Sequence, residues 1–390
     1  YFVENPICVQ EGTNLRQAKE IMKRYHITSL MIINPESKLV GILTSRDYQF
    51  EKNDNILIDD LMTRINDLVV AHEGISFEDA HKILKKSKIE KLPLIDNKGF
   101  LKGLATAMDV KTLEKYPNAT RDNKGRLRVG AAVGVKGNFL KRVELLIENN
   151  VDLVVVDSAH GHSDAAINAI KEIKLNFSET EIMAGNVATY KGTEDLINAG
   201  ADSIKVGIGP GSACTTRIIA GAGVPQLTAI FDCISIADQY DIPIIADGGT
   251  RYPADLSKVI AAGASAIMAG RLFSGTMESP GQIIIKSGRR YKEFRGSASY
   301  DNNLITKSIL EKRKIDFVDI IPEGVESLIE YKGPVSSIIN GLIGGLKSGI
   351  SYCGSTNIKE MQENAEFIKM TSAGIRESHV HDLDRIKGGN

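Results

Sequence analysis

The pattern of hydrophobic and polar positions divides the chain into two parts with different arrangements of predicted helices and strands. In residues 1–115, a helix pattern, an apolar strand, a polar turn and a second strand occur twice, with a repeat of about 60 residues. In residues 129–390, short apolar strands alternate with amphipathic helix patterns. A hydrophilic linker at 116–128 separates the two parts. We therefore predict a repeat domain followed by a larger α/β domain.

Both repeat units end in the pattern Gly-apolar-apolar-Thr-x-x-Asp, from Gly41 to Asp47 and from Gly103 to Asp109. One such unit cannot bury its apolar face alone, so we expect a pseudo-symmetric pair. The repeat resembles a tandem pair of CBS-type modules, which commonly bind adenine or guanine nucleotides. The resemblance implies ATP or GTP as a regulatory ligand, with ribose contacts from Thr44, Asp47, Thr106 and Asp109. Alternatively, both aspartates only cap the helices that follow.

Six apolar segments of the second part are predicted as strands. They are Val129–Val133, Leu153–Asp157, Glu181–Asn186, Ser203–Gly207, Ile242–Asp247 and Ala266–Gly270. Strands that are apolar on both faces and linked by helices are typical of a parallel sheet. Each segment ends in a polar or glycine-rich tip, which favours a (β/α)8 TIM barrel over an open doubly wound sheet. Because a barrel needs eight strands, we expect the missing pair to precede the repeat, in a longer protein of which this chain is a fragment.

The loop from Gly207 to Arg217 carries the first candidate chemistry. Its glycines and a proline force a tight turn, and such a turn lets backbone N–H groups approach an anion. Cys214 near its end becomes a reactive thiolate if the local field lowers its pKa, which suits covalent catalysis. The alternative is a strand-to-helix turn with an incidental cysteine.

Three other predicted strand ends carry polar groups. Asp247-Gly248-Gly249 and Gly270-Arg271 end the last two strands, where barrels often bind a phosphate; ordinary turn glycines are the alternative. Asp157 ends an apolar strand, where a carboxylate is costly unless it binds something polar, such as a ribose diol or a base edge.

Composition excludes several classes of protein. With 48 basic and 49 acidic residues, the chain has no basic excess to bind nucleic acid. No apolar run approaches the roughly 18 residues of a membrane span. The four cysteines (Cys8, Cys214, Cys233, Cys353) lie far apart, which predicts reduced thiols in a cytoplasmic protein.

Four motifs, taken in order, resemble the IMP dehydrogenase and GMP reductase family. They are Val155–Ser163, Ala184–Thr189, Gly207–Arg217 and Ala246–Gly249. The resemblance extends over essentially the whole chain, including the inserted CBS pair. It implies that Cys214 forms a covalent adduct at purine C2 of IMP or GMP.

The resemblance also implies roles for other residues. Contacts to the substrate are expected from Asn186, Ser212, Asp247, Gly249, Gly270, Arg271, Tyr291, Gly296 and Glu323. Contacts to NAD are expected from Asp157, Ser158 and Gly207. A K+ site would use Gly209, Gly211 and Cys214, completed by Glu377, Ser378 and His379 of a neighbouring subunit, in the segment 371–382. Thr216, Glu323 and Arg313 are the further catalytic candidates. The expected assembly is a homotetramer or an octamer.

The two reactions of the family are separated by the expected flap at 296–332. A dehydrogenase flap carries an Arg-Tyr pair that activates water, whereas this chain offers Arg313 without a tyrosine beside it. Gly296–Ser299 and Ser348–Tyr352 also favour the reductase. The CBS insertion, Gly275–Gly281 and the Glu377–His379 tail favour the dehydrogenase. We predict NAD-dependent oxidation of IMP to XMP, with NADPH-dependent GMP reduction as the alternative. A catalytically inactive nucleotide sensor is the second alternative.

Overall fold

The computed structural model describes residues 2–123, 125–296 and 326–379. The chain divides into two compact units, residues 1–128 and 129–390. The predicted linker at 116–128 belongs to the first unit.

The first unit contains the two copies of the repeat. The elements of the first copy are β1 (Cys8–Gln10), α1 (Leu15–Tyr25), β2 (Ser29–Ile33), β3 (Leu39–Thr44) and β4 (Thr63–Arg64). Those of the second copy are β5 (Ala71–His72), α2 (Phe77–Ser87), β6 (Lys91–Ile95), β7 (Leu101–Thr106) and α3 (Ala107–Lys115). The strands form two sheets, ordered β1-β2-β3-β4 and β5-β6-β7. The predicted repeat is confirmed.

The first helices of the two copies begin and end in the same way, because both copies have a capping residue before the helix and a left-handed residue after it. Asn14 and Ser76 cap the N-termini of α1 and α2 through side-chain oxygens. Both helices end at a left-handed residue, His26 and Lys88. Each copy has its own apolar core, in which Leu15, Leu30 and Leu43 of the first copy are fully buried.

The second unit is an α/β domain whose parallel sheet forms a half-barrel. The sheet strands are β8 (Gly130–Val133), β9 (Leu153–Asp157), β10 (Ile182–Val187), β11 (Ser203–Val206), β12 (Ile244–Asp247) and β13 (Ala266–Met268). The intervening helices are α4 (Phe139–Glu148), α5 (Asp164–Asn176), α6 (Tyr190–Asn198), α7 (Thr216–Ile219), α8 (Gln226–Ala237) and α9 (Pro253–Ala261). The strand order follows the sequence, from β8 to β13. The six predicted strands are confirmed, with ends that shift by one or two residues.

Burial explains why these segments pair as a parallel sheet. Val154, Val156, Ile204, Ile244 and Ala246 are all fully buried within one continuous core. Helices cover the sheet and keep this core away from water, as parallel sheets require. Because all six strands run in one direction, their carboxyl ends meet at a single edge.

The remaining described elements follow the sheet. They are α10 (Arg271–Ser274), β14 (Ile283–Lys286), β15 (Arg289–Arg295), β16 (Glu326–Glu330), α11 (Val335–Tyr352), α12 (Ile358–Asn364) and α13 (Ser372–Glu377). Strands β14, β15 and β16 form a separate antiparallel sheet that the sequence analysis did not predict. Among the described helices, none has the length and apolarity to cross a membrane.

Candidate active site

The loop after β11 places Cys214 at the carboxyl edge of the sheet. The loop begins at Gly207, whose φ of +152° disfavours other residues. A Cβ there would lie 2.1 Å from the carbonyl oxygen of Asp247, so the loop and the β12 end are in direct contact. The Cys214 backbone N–H donates to the Gly211 carbonyl at 3.0 Å, which closes a turn around the thiol.

The Cys214 thiol has one described side-chain partner. Its Sγ donates to the Thr216 hydroxyl oxygen at 3.1 Å, and the hydroxyl becomes the donor once the thiol ionises. The side chain is half-buried, and it remains open to a cavity. Cys214 in the loop and Thr216, the first residue of α7, are therefore in direct contact.

A cavity of about 310 Å³ lies over this thiol. It is lined by Gly211, Ser212, Ala213, Cys214, Asp247, Gly248, Gly249, Thr250, Ala269, Gly270, Arg271, Phe294, Arg295 and Gly296. Three strand ends that the sequence analysis treated separately thus meet around one space. The lining combines a thiol, a carboxylate, two guanidinium groups and several glycine-containing turns.

A buried lysine that the sequence analysis did not single out lies beneath the cavity. Lys205 of β11 is only 2 % exposed. Its ammonium group donates to Asp247 at 2.5 Å, to Asp157 at 3.1 Å and to the Asn186 side-chain oxygen. The Asn186 amide in turn donates to the Gly207 carbonyl at 2.8 Å and to Asp247 at 3.0 Å. A charged residue inside a four-residue buried strand was the signal available in the sequence.

Asp157 was expected to need a polar partner at the end of its apolar strand, and the structure provides Lys205 at 3.1 Å. Its carboxylate is neutralised by Lys205, although half of the side chain remains exposed. Ser158 follows, and its backbone is held by hydrogen bonds with Gly185 and Asn186 at 2.9 and 2.8 Å. The end of β9 is therefore fixed to β10, and a polar carboxylate faces open space there.

A second polar cluster supports the loop after β9. His162 contacts Asp195 of α6 at 2.8 Å, and Lys191 contacts the same carboxyl at 2.9 Å. Hydrogen bonds from Lys191 and then His162 hold the pKa of Asp195 below its ordinary value. The cluster joins the loop to α6, outside the cavity lining.

Several predicted residues lie elsewhere. Tyr291 is in the middle of β15, paired with Ile284 and Glu330, and does not line the cavity. Phe294 and Arg295, at the end of the same strand, line it instead, and the sequence analysis missed both. Arg313 and Glu323 lie outside the described residues.

The predicted cation residues form two groups. Gly209 and Gly211 belong to the Cys214 loop, whereas Glu377 ends α13. The Ser378 hydroxyl donates to the Gly374 carbonyl at 2.8 Å, and the His379 N–H donates to the Arg376 carbonyl at 3.2 Å. These bonds shape the end of α13.

The predicted nucleotide residues of the first unit cap local turns. The Thr44 hydroxyl donates to Asp47 at 2.8 Å, and the Thr106 hydroxyl donates to Asp109 at 2.7 Å. The Thr106 hydroxyl also accepts the Asp109 N–H, so the residue that caps the start of α3 is Thr106 and not Asp109. A cavity of about 460 Å³ adjoins this second pair; its lining is Phe2, Val3, Glu4, Asn5, Asp109, Thr112, Leu113, Arg121, Gly125 and Arg126.

The half-barrel, its strand-end cysteine and the attached repeat define an α/β-barrel enzyme with a CBS-type module. The family description "IMP dehydrogenase / GMP reductase domain" matches residues 62–381, and "CBS domain" matches residues 2–49. The chain belongs to the IMP dehydrogenase / GMP reductase family.

Curated relatives and solved structures agree with this assignment. Inosine-5'-monophosphate dehydrogenase of Aquifex aeolicus is 49% identical over 97% of this chain and 78% of its own length. The enzyme of the same name from Nitrosopumilus maritimus is 48% identical over 98% of this chain and 80% of its own. A cysteine-to-alanine variant of Trypanosoma brucei GMP reductase, solved with guanosine 5'-monophosphate, has a TM-score of 0.91 at 40% identity; the match covers 98% of this chain and 80% of that one.

Proposed function

We propose that this chain is an NAD-dependent IMP dehydrogenase that oxidises IMP to XMP. The observation that carries the proposal is the position of Cys214 on a cavity that also contains Asp247 and Arg271. The dehydrogenase is favoured over the reductase because the curated dehydrogenases are 44–49% identical, against 40% for the GMP reductase structure.

The reaction begins with attack of the Cys214 thiolate on purine C2. When bound, NAD supplies the acceptor for the hydride that leaves C2. Water then adds to C2, the carbon–sulfur bond breaks, and XMP leaves with the thiolate restored. The Thr216 hydroxyl, 3.1 Å from Sγ, stabilises that thiolate by donating a hydrogen bond. We assign to Thr216, together with Glu323 and Arg313, the removal of a proton from the attacking water.

The substrate contacts follow from the cavity lining. Asp247 accepts from ribose hydroxyls, since its carboxyl group is held by Lys205 at 2.5 Å and lines the cavity. Ser212, Gly249, Gly270 and Arg271 line the remaining wall, where backbone N–H groups and the guanidinium suit a phosphate. Phe294 gives the purine an apolar surface.

For NAD, the residues present fit a ribose diol. Asp157 offers a half-exposed carboxylate at the strand end, next to Ser158. Gly207 leaves the adjoining loop without a side chain. These groups bind and orient the cofactor on the side of Cys214 away from the phosphate turns.

The proposal includes a monovalent cation and an oligomer. The carbonyls of Gly209, Gly211 and Cys214 are suited to K+, and the Gly211 oxygen keeps a second lone pair beyond its bond to Cys214. We assign the remaining ligands to Glu377, Ser378 and His379 of a neighbouring copy in a homotetramer or octamer. Exposed apolar side chains, including Ile218 at 84 % and Tyr352 at 94 %, support such an interface.

Two assays separate the dehydrogenase from the reductase. The protein is supplied with IMP and NAD, and separately with GMP and NADPH, while nicotinamide absorbance is followed. NADH formed from IMP supports the proposal; NADPH consumption with ammonia release identifies a GMP reductase instead. Cys214→Ala should abolish turnover, whereas the matched variant Cys353→Ser, on the turn after α11, should retain it.

We also propose that the first unit binds ATP or GTP in its cavity. Asp109 would accept from ribose hydroxyls, and Arg121 and Arg126 in the same lining would face phosphates. Equilibrium titration with each nucleotide tests this. Asp109→Ala should weaken binding, whereas Asp79→Ala, an exposed change on α2, should not; equal affinities in both variants would exclude this cavity. A cytoplasmic location is part of the proposal, supported by free thiols at all four cysteines.

A further inference from the structure

Lys205 lies between the carboxylate proposed for the substrate and the one proposed for the cofactor. We propose that Lys205 is a positioning residue that couples Asp247 to Asp157, so that substrate and cofactor affinity depend on one buried ammonium group. The inference rests on the proposed function, because it takes the roles of both carboxylates from there.

The sheet register sets this arrangement. Asp157 of β9, Gly185 of β10 and Lys205 of β11 occupy one row across neighbouring strands. Side chains of one row in a parallel sheet point to the same face. Gly185 contributes no side chain between its two neighbours, so the lysine and the aspartate meet across it at 3.1 Å.

Gly185 is required for this approach. A Cβ at Gly185 would lie 2.7 Å from the Lys205 Cβ and 2.5 Å from the Lys205 carbonyl oxygen. Real Cβ atoms do not tolerate such contacts, so any side chain there would displace β11 or its lysine. Two successive residues of β10 thus accommodate Lys205. Gly185 leaves room for its side chain, and Asn186 supplies one of its three acceptors.

Each N–H donor of the Lys205 ammonium group has an acceptor. It has three donors, and it has three oxygen acceptors, on Asp247, Asp157 and Asn186. At 2 % exposure, water does not replace a lost partner. Without Lys205, the two carboxylates that it holds close together would repel one another and move from their positions. Both ligand contacts would then weaken together.

The principal test is Lys205→Met, which keeps the length of the side chain and removes its charge. We expect the KM values for IMP and for NAD both to rise on the order of tenfold or more, the factor typical of a lost hydrogen bond to a charged group. The matched control is Lys174→Met, which removes an ion pair to Asp202 at the opposite end of β11. The control should lower Tm and leave both KM values unchanged.

A double variant distinguishes positioning from a purely structural role. Adding Asp157→Asn to Lys205→Met removes the repulsion on Asp247, so the KM for IMP should fall back towards the wild-type value. A general loss of packing would not be repaired by changing a residue on the cofactor side. No recovery of the KM for IMP would overturn the coupling.

A double-mutant cycle on the two aspartates keeps Lys205 in place. It therefore does not depend on whether Lys205 variants fold. Asp157→Asn and Asp247→Asn are compared singly and together, with KM values and IMP affinity by calorimetry. Coupling through Lys205 predicts effects that are not additive, whereas additive effects contradict it. If the wild-type protein makes no NADH from IMP, the proposed function fails. If it does and Lys205→Met keeps both KM values, only this inference fails.

Discussion

The contact between Gly207 and Asp247 predicts a large effect of Gly207→Ala. The added Cβ would lie 2.1 Å from the Asp247 carbonyl oxygen and 3.2 Å from the Gln226 side-chain oxygen. The first of these atoms belongs to the backbone of β12 and cannot rotate away. Relief therefore requires the loop or the end of β12 to move.

Two terms set the magnitude of this change. Overpacking a tight contact costs about 1–3 kcal/mol, and placing alanine at a glycine-only φ costs about 1–3 kcal/mol more. A loss of about 3 kcal/mol corresponds to a fall in Tm of roughly 6–12 °C for a domain of this size. Asp247 moves with the strand end, so the KM for IMP should also rise.

The assay compares Tm by scanning calorimetry and steady-state kinetics for Gly207→Ala and a matched control. Gly134→Ala is suitable, since its added Cβ has no neighbour within 4 Å. The control should match wild type in both measurements. If Gly207→Ala also left Tm and the KM for IMP unchanged, the close approach of the loop to β12 would be refuted.

Three further predictions concern single side chains. Alkylation by iodoacetamide should modify Cys214 and spare Cys233, because burial raises the pKa of the Cys233 thiol to about 11; peptide mass mapping that found Cys233 modified first in folded protein would contradict this. The folded-state pKa of Asp195 is held below its ordinary value of 3.8 by hydrogen bonds from Lys191 and then His162. Its stabilising effect is therefore present above pH 3.8 and lost as pH falls below it, so the Tm difference between wild type and Asp195→Asn should shrink there; a constant difference would argue against it. Thr106→Ala removes the cap of α3 and should lower the unfolding free energy of the first unit by about 1 kcal/mol in urea titration, whereas no loss would show that the cap is dispensable.

Local patterns predicted the repeat of the first unit and the parallel sheet of the second, because these elements depend on residues close in sequence. The repeat, its helices and the six apolar strands each follow from spacing within a dozen residues or so. The meeting of Cys214, Asp247 and Arg271 was also predictable. Parallel strands place their carboxyl ends at one edge, whatever their order in the sheet.

Contacts that depend on the path of the chain were not predictable in the same way. Phe294 and Arg295 reach the cavity because an antiparallel sheet returns them to it, and no local pattern indicates that return. Tyr291, which the family resemblance implied as a substrate contact, lies earlier in the same strand, whereas the cavity is lined by the strand end. The register of a sheet, and not its composition, decides which residue of a strand lines a site.

The register of the parallel sheet brings Lys205 next to two residues that are far from it in the sequence, Asp157 and Gly185. In the sequence, Asp157 is a carboxylate at the end of an apolar strand, Gly185 is a glycine of the next strand, and Lys205 is an isolated charge in a third apolar strand. Each is unfavourable or uninformative alone, since a buried charge needs a partner. In the sheet they lie side by side, so the lysine neutralises the aspartate and the glycine makes room for both. A change at any one of the three therefore alters the environment of the other two, and through Lys205 that of Asp247 in the lining of the Cys214 cavity.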